Sequence, residues 1–451
     1  MKKFLTIILM FFPFLIFAQN NLQDIINQAK SKGNITLPQG KTYTLNHPLI
    51  LPSNFILNGN GCIIKPNSNW RNQNSKDSPL IEIVGGSKIN ISNLTLDNMA
   101  SRGVNGMPSY SILILKSSEV NISSVTFKNL GLKKTNQNVG GFPFILIAAQ
   151  EAPNDFTYLP KKYSSTLGSV NDVVITNCKF VNIDYVNSFA IRLLTLWTKQ
   201  RKKENIKNMI NGVILEGNTF LGEYDWNTIE MAGPATKNIK VLNNILEGPS
   251  INNIDVDKGA SEIEIKNNII KNAGLPFRHR LNKNVRVSPI MVHGSKNGYI
   301  SENVVVINNE ISGVTNPNAN NSRYLYSSGI GVAYANNVVI KGNKLNSIFP
   351  DKNYGAAICL DQSIKNIEIN GNYVRNVNWG IVITPNTLSF NSVNITNNDI
   401  QSKSESMLLL NGSSGEFRGL TLKGNKIESK KNINKIKVGS KIRSIDSDVR
   451  Q

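Results

Sequence analysis

The sequence predicts an all-β protein, a single-stranded parallel β-helix with a short N-terminal capping helix. The first observation is a repeat in the second half of the chain, where a polar pair ending in asparagine recurs at intervals of 24 to 41 residues. Such self-similarity is typical of a solenoid, because one repeat cannot bury its apolar face alone. The second is the period-two alternation of apolar residues before each pair, which indicates strands. Strands stacked by repetition along an axis form a parallel β-helix.

The recurring asparagines are expected to stack on one another at one turn position of successive coils. Their amides can hydrogen-bond along such a row, which would set the register between coils. Cys178 occupies the same position one coil earlier, so we expect it in the interior or in a tight turn. The row comprises Asn218, Asn244, Asn268, Asn309, Asn343, Asn372, Asn398 and Asn425.

The N-terminal segment has the pattern of a secretory signal peptide. Lys2 and Lys3 precede an apolar run over 4–17, and Ala18 ends it, so we expect cleavage after residues 1–18 and a secreted or periplasmic protein. The run is too short for a membrane span, and no other segment approaches the required length, so no membrane partner is expected. The remainder, 19–451, is predicted to be one β-helix domain whose end, 430–451, is basic.

Residues 22–32 predict the capping helix. Leu22, Ile25, Ile26 and Ala29 fall on one helical face, and Gly33 follows as a stop signal. A helix at this place would cover the open end of the first coil, which otherwise invites pairing with another chain.

The net charge indicates the kind of partner, and the cysteines indicate whether disulfide bonds are expected. The formal net charge of +20 favours an anionic partner, and for an exported solenoid we expect an anionic polysaccharide rather than nucleic acid. The three cysteines are far apart in the sequence, which predicts no disulfide framework. We expect a monomer.

A third strand recurs in each coil and carries the candidate site. The second and fourth residues of each five-residue segment are expected to point inward, and the third and fifth outward. The third-position row is Leu113, Leu146, Arg192, Glu230, Asp255, Met291, Gly331, Cys359, Val382 and Leu409. The fifth-position row is Leu115, Ala148, Leu194, Ala232, Asp257, His293, Ala333, Asp361, Thr384 and Asn411.

Ionisable residues are concentrated in the middle coils of these rows, and Glu230, Asp255, Asp257 and His293 are the candidate catalytic residues. Adjacent coils lie ~4.8 Å apart. Glu230 and Asp255 should therefore be neighbours, as should Asp257 and His293. Stacked carboxylates repel, so at least one pKa should rise. A protonated and an ionised carboxyl together are what glycoside hydrolysis requires, with His293 as a further proton-transfer group.

The surroundings predict substrate binding. The candidate binding residues are Arg192, Lys258, Arg278, His279, Arg280 and Trp226. Arginine presents a fork suited to sulfate or carboxylate, and an aromatic ring can stack on a sugar. Plainer interpretations remain open: Arg192 as a neutralising partner of Glu230, Lys258 as part of a turn before Gly259, and the acidic residues as charges on a solvated face.

The opening segments LPQGKTYTL and LILPSNFILNGNG, with the stacked NN and GN coils, resemble the pectate-lyase-like β-helix superfamily. This resemblance implies the right-handed form of the fold, but that superfamily holds hydrolases, lyases, epimerases and tailspikes, so it leaves function open. The segment from Lys258 to Phe277-Arg278-His279 resembles polysaccharide lyase family 6. The resemblance implies a lysine base and an arginine partner. The segment departs from the family at Arg280, where the family has glycine.

In the family, two calcium-binding glutamates precede the lysine, and their counterparts here fall near Ile251 and Asn253.

Three function hypotheses follow. The first is an endo-acting glycoside hydrolase on a sulfated or uronate-bearing polysaccharide, with no metal or other cofactor. The second is a lyase on a uronate polymer, assisted by Ca²⁺ on Glu230, Asp255 and Asp257 or by a Lys, Arg or His base. The third is a glycan-binding solenoid without catalysis.

Overall fold

The structure is a computed structural model. It describes residues 21–68, 70, 78–99, 110–130, 132–133, 143–149, 163, 168–195, 207–275, 286–296, 298–315, 327–349, 355–384, 389–404, 407–409, 417–429, 436–438 and 445–447.

The described part of the chain is almost entirely β-structure. One helix, α1 (Leu22–Ala29), continues into a 3-10 turn over Lys30–Lys32. The strands of the first half are β1 (Asn34–Thr36), β2 (Thr42–Leu45), β3 (Leu49–Ile50), β4 (Phe55–Pro66), β5 (Pro79–Val84), β6 (Ser87–Asp97), β7 (Tyr110–Leu115), β8 (Ser118–Lys128), β9 (Leu132–Lys133), β10 (Pro143–Ala148), β11 (Val170–Thr176), β12 (Lys179–Leu194), β13 (Ile210–Glu216), β14 (Thr219–Ala232), β15 (Thr236–Leu242), β16 (Ile245–Glu247) and β17 (Ser250–Asp257).

The second half continues in the same way. Its strands are β18 (Ser261–Lys266), β19 (Ile269–Lys271), β20 (Ile290–His293), β21 (Ser301–Ile307), β22 (Glu310–Val314), β23 (Ser328–Lys341), β24 (Lys344–Ile348), β25 (Ala356–Asn370), β26 (Tyr373–Val377), β27 (Trp379–Ile383), β28 (Ser389–Thr396), β29 (Asp399–Ser402), β30 (Met407–Leu409), β31 (Phe417–Lys423), β32 (Lys426–Ser429), β33 (Ile436–Val438) and β34 (Ile445–Ser447).

Apart from the two-residue β9, which pairs antiparallel to β12, the strands pair in parallel with equivalent strands of neighbouring coils, which makes the chain a parallel β-helix. Three series of such pairings run along the axis. The first sheet contains β11, β13, β15, β18, β21, β28, β31 and β34, and the second contains β16, β19, β22, β24, β26, β29 and β32. The third contains β7, β10, the ends of β12 and β14, β17, β20, β27, β30 and β33. Long strands such as β23 and β25 bend from the third sheet into the first.

A single apolar core fills the space between the three sheets. In the third sheet the inward residues are the predicted second and fourth positions, for example Ile229 with Met231 and Ile254 with Val256, all fully buried. Parts of β8, β12 and β14 extend the second sheet toward the N-terminus, because they pair in turn up to β16. On them the rings of Phe127, Phe180 and Phe220 stack coil on coil, with centroids 4.6 Å apart at each step. The predicted alternation therefore correctly separated inward-facing from outward-facing positions, although outward-facing residues such as Leu113 and Leu146 are buried as well.

The turn between the first and second sheets explains the NN and GN pairs. The residue before each stacked asparagine has a left-handed backbone, with φ of 55° at Asn243, 56° at Asn267 and 65° at Gly217. Only glycine and asparagine adopt that conformation at little cost. The backbone conformation therefore determines which residue type occurs first in the pair, and hydrogen bonding determines which occurs second.

The second asparagine of each pair joins three successive coils, as predicted. The amide nitrogen of Asn244 donates to the Leu215 carbonyl of the preceding coil at 2.9 Å and to Oδ1 of Asn268 in the next coil at 2.9 Å. The same Oδ1 also accepts from the backbone N–H of Asn244 at 3.0 Å. The pattern continues to Asn425, and at its start the backbone N–H of the buried Cys178 donates to Asn218.

The N-terminal helix also forms as predicted. The side chain of Asn21 caps α1 by accepting from the Gln23 N–H, and Gly33 ends the following turn with a φ of 70°. Leu22, Ile26 and Ala29 are buried against the core. The helix thus covers the apolar end of the first coil.

One register prediction at the C-terminal end was wrong. The structure aligns Met407 with Ile381 and Leu408 with Val382, so Leu408 rather than Leu409 occupies the third-position row. Leu409 aligns with the inward-facing Ile383, and the predicted partner Asn411 lies outside the described residues. Three consecutive leucines carry no alternation, so this segment offered no signal for choosing between the two registers.

The predicted signal peptide, 1–18, also lies outside the described residues. Among those that are described, no helix is long and apolar enough to cross a bilayer.

Replacing Asn268 by alanine should destabilise the protein by about 2 kcal/mol or more, because the substitution leaves buried N–H and C=O groups of two neighbouring coils without partners. Asn267→Gly is the matched control. Its amide is exposed and glycine fills the same turn position in other coils, so little change is expected. The measurement is the unfolding midpoint in a thermal or denaturant melt. Equal midpoints for the two variants would contradict a structural role for the asparagine row.

Candidate active site

The third sheet brings the four candidate catalytic residues together. Glu230 of β14 aligns with Arg192 on one side and with Asp255 of β17 on the other. Asp257 aligns with His293 of β20. These are the neighbours that the repeat predicted, so stacking of the coils assembles the cluster from segments far apart in sequence.

The acidic side chains point away from the core, yet they are buried. Their relative exposures are 5% for Glu230, 3% for Asp255 and 5% for Asp257. The side chains of His293 and Lys258 are 30% and 32% exposed. The interpretation of a solvated charged face is therefore wrong for the carboxylates. A ligand would reach the cluster from the side of His293 and Lys258.

Two cations contact Asp257. Lys258 Nζ lies 2.8 Å from its Oδ2, and His293 Nε2 lies 3.4 Å from its Oδ1. The same His293 nitrogen lies 3.2 Å from Oδ1 of Asp255. Lys258 has a left-handed backbone with a φ of 53°, so it stands at a tight bend at the end of β17. The turn expected at this residue is present, whereas its ion pair with Asp257 was not predicted from the sequence.

Arg192 forms an ion pair with Glu230. Its Nε donates to Oε2 of Glu230, and its guanidinium carbon lies 4.4 Å from the centre of the Phe189 ring. Both side chains of the pair are only 6% exposed. This geometry favours the interpretation of Arg192 as the counter-ion of Glu230, while its contact with a substrate anion remains a proposal.

Asn227 is a member of the cluster that the sequence did not reveal. Its amide nitrogen donates to Oδ2 of Asp255 at 2.8 Å and lies 3.4 Å from Oε1 of Glu230. The pairing of β14 with β17 contains a register shift between Tyr224 and Asn227. The pairing is regular from Asn227 to Glu230, and alternation counted back from Glu230 assigns Asn227 to the inward face with Ile229. The strand period therefore gave no signal that its amide contacts the two carboxylates.

Burial raises the pKa of both Glu230 and Asp255. For Glu230 the Arg192 guanidinium opposes this effect, and the Asp255 and Asp257 carboxylates add to it. For Asp255 the His293 imidazolium opposes the effect of burial on the pKa. The predicted rise occurs, but desolvation contributes more to it than the predicted repulsion between stacked carboxylates.

The pKa values of His293 and Lys258, the more exposed residues of the cluster, are both raised. Burial alone would lower the pKa of His293, but the Asp257 and Asp255 carboxylates outweigh it and raise that pKa to about 9. Burial likewise opposes protonation of Lys258, yet Asp257 and Glu230 leave its pKa above the ordinary value. At neutral pH both groups are therefore cationic, and neither is poised to accept a proton.

Asp255, Asp257 and His293 are also the group that could hold a metal ion. One ligand atom from each lies within 4.8 Å of the others. The set differs from the Glu230, Asp255 and Asp257 trio expected for Ca²⁺, because Glu230 pairs with Arg192. Calcium prefers oxygen ligands, and any cation here would compete with the His293 proton and the Lys258 ammonium.

The remaining predicted binding residues are only partly placed. Trp226 is 47% exposed and directly precedes Asn227 on β14. Arg278, His279 and Arg280 lie outside the described residues, as does Phe277, so the segment that carries the narrower lyase resemblance is not placed.

Comparison with known proteins supports the architecture. No protein-family model and no curated protein sequence matches the chain. Among solved structures, PfbA, a surface adhesin of Streptococcus pneumoniae, is similar with a TM-score of 0.57 and 17% identity over 88% of this chain and 87% of that one. The tailspike protein of E. coli bacteriophage HK620, in complex with a pentasaccharide, has a TM-score of 0.56 and 12% identity over 93% and 74%.

The chain shares their parallel β-helix fold. At these identities the likeness concerns the fold alone.

The raised pKa of His293 predicts a pH-dependent contribution to stability. The contribution should be complete below the unfolded pKa of about 6.5 and lost as pH rises through about 9. Replacing His293 by glutamine should therefore destabilise the protein by roughly 2 kcal/mol at pH 6 and by much less at pH 10. Unfolding midpoints at the two pH values measure the effect, with His47→Gln as the control. A pH-independent difference for His293→Gln would show that the imidazolium does not bridge the two aspartates.

Proposed function

We propose that this protein is a secreted, endo-acting glycoside hydrolase that degrades an anionic polysaccharide, sulfated or uronate-bearing. The observation that carries the proposal is a pair of neighbouring carboxyl groups in unlike surroundings. Asp257 has two cationic contacts, whereas burial raises the pKa of Asp255. Pairs whose environments differ in this way provide an acid and a base in one site.

Asp257, which contacts two cations, is assigned the role of base or nucleophile, and Asp255 the role of acid. In this scheme Asp255 donates its proton to the leaving glycosidic oxygen while Asp257 acts as nucleophile or activates water. Ligand atoms of the two carboxyls lie within 4.8 Å of each other, which favours the retaining arrangement over the wider inverting one. His293 holds both groups in place from the rim, and Glu230 with Arg192 forms the floor beside them.

A lyase is less well supported. β-Elimination requires a group that removes a proton beside the uronate carboxyl, and the candidates were Lys258 and His293. Both carry raised pKa values and are cationic at neutral pH. A hydrolase uses the carboxyl pair directly and needs neither cation as a base.

The fold and the charge support a glycan as the ligand. The tailspike shares this architecture and holds an oligosaccharide, and the net charge of +20 suits an anionic polymer. Binding without cleavage is the second candidate function, supported by the adhesin of similar fold. The proposal also includes export directed by the N-terminal segment and a monomeric state. It includes right-handed winding of the β-helix, because parallel crossovers are overwhelmingly right-handed.

Replacing Asp257 or Asp255 by asparagine should reduce the rate of polysaccharide cleavage by about a thousandfold or more, because each removes one member of the acid and base pair. The assay follows new reducing ends and the ultraviolet absorbance of unsaturated sugars together, on a panel of anionic polysaccharides. Asp399→Asn is the control, since this carboxylate pairs with Arg375 in the second sheet. Unsaturated products from the unchanged protein would establish a lyase, and the absence of any product would establish a binder.

Chelation should leave the cleavage rate unchanged within twofold, because the proposed chemistry uses the protonated Asp255 rather than a cation. The measurement compares rates after dialysis against EDTA with rates after adding back Ca²⁺ or Zn²⁺. Loss of activity that one of these ions restores would instead assign the Asp255, Asp257 and His293 group to a metal.

A further inference from the structure

Gly331 leaves a gap on the outer face of the third sheet. It aligns with Met291 and Cys359, in the row that holds Glu230 and Asp255. Its backbone does not have the positive φ that calls for glycine. A Cβ at this position would lie 2.7 Å from Met291 Sδ and 3.2 Å from Arg286 Nη2. Glycine inside a strand often marks a close approach by other groups, and here the side chains of Met291 and Ser288 and the guanidinium of Arg286 all approach it.

The guanidinium of Arg286 is held in place from one side. Its Nη1 donates to Oδ2 of Asp361 at 3.2 Å, and its Nη2 lies 3.5 Å from Cys359 Sγ. Asp361 is itself anchored, since its Oδ1 accepts from Thr384 Oγ1 at 2.6 Å and from the backbone N–H of Gln362 at 2.9 Å. A guanidinium fixed in this way loses little further entropy when it binds a ligand.

One donor of this guanidinium remains unsatisfied. Within the described part of the protein, the buried Nε of Arg286 has no hydrogen-bond partner. The side chain as a whole is 24% exposed, so it lies within reach of a ligand. A buried N–H without an acceptor is costly, and a small shift of the side chain on binding would bring it to an oxygen of a bound anion.

Arg286 lies on the same face as the proposed catalytic pair. Asp257 aligns with His293, His293 with Ala333, and Ala333 with Asp361, the partner of Arg286. Asp361 therefore lies three coil steps, or ~14 Å, along the axis from Asp257. The small side chains of Gly331 and Ala333 lie between them. A polysaccharide lying along the axis at Asp255 and Asp257 would therefore pass over Arg286.

We propose that Arg286, seated over Gly331 and held by Asp361, is a binding subsite for an anionic group, a sulfate ester or a carboxylate, on the sugar chain beyond the cleavage point. The inference rests on the proposed function for the placement of the polysaccharide along this face. The subsite would select charged chains over neutral ones of the same backbone.

The test is binding to an array of sulfated and uronate-containing oligosaccharides, each printed beside its desulfated or carboxyl-reduced counterpart. An Asp257→Asn background prevents cleavage. This parent should bind at least one charged saccharide more tightly than its neutral counterpart, and the chemistry of that pair identifies sulfate or carboxylate. Arg286→Gln should weaken that binding about tenfold or more and remove the preference. Arg286→Lys should fall between, because lysine keeps the charge without the planar fork.

Further variants separate binding from folding. Gly331→Ala should weaken the same binding by displacing Arg286. Arg286→Gln with Asp361→Asn removes both charges and avoids an unpaired buried carboxylate. Arg375→Gln, which breaks an ion pair in the second sheet, is the control and should bind as the parent does. Parent-like binding by folded Arg286→Gln, or a parent without preference for charged saccharides, would overturn the subsite. The protein with Asp257 restored could also cleave no polysaccharide while its binding still depends on Arg286. That result would refute the hydrolase proposal and support the subsite.

Discussion

The hydrogen bonds between stacked asparagines determine how the rest of this molecule is arranged. Each buried amide is bonded to the coil before it and the coil after it, so neighbouring coils cannot slide without breaking several bonds. A slip of one residue would reverse the face of every side chain in a strand. The contact of Asp257 with His293 in the third sheet therefore depends on a turn between the other two sheets.

Much of the fold could be predicted because two signals agree. The NN and GN pairs locate one turn per coil, and the alternating aliphatic residues orient the strands. Where either signal is missing, prediction fails for a physical reason. Leu408 and Leu409 lie in a run without alternation, and Asn227 contacts Asp255 although alternation assigns it to the inward face. Local irregularities of this kind depend on tertiary packing and leave no mark in the pattern.

The site was predictable as a set of neighbours, but its electrostatics were not. Alignment of the coils placed Glu230 next to Asp255 and Asp257 next to His293. It could not show that the carboxylates are buried, or that Arg192 turns to Glu230 while His293 bridges the two aspartates. Burial and partner choice together decide which group keeps a proton. These properties arise from side-chain packing that spans several coils.

The row of stacked asparagines also makes each winding a separate structural unit. From Asn218 to Asn425 each amide bonds only to adjacent windings, and the residue before it is always one that tolerates a left-handed backbone, so these windings share one turn geometry. Whole windings could then be gained or lost by recombination without disturbing the alignment of those that remain. The length of the outer face that an extended ligand can contact could therefore change by whole windings, while the acidic cluster in the middle of that face stays the same.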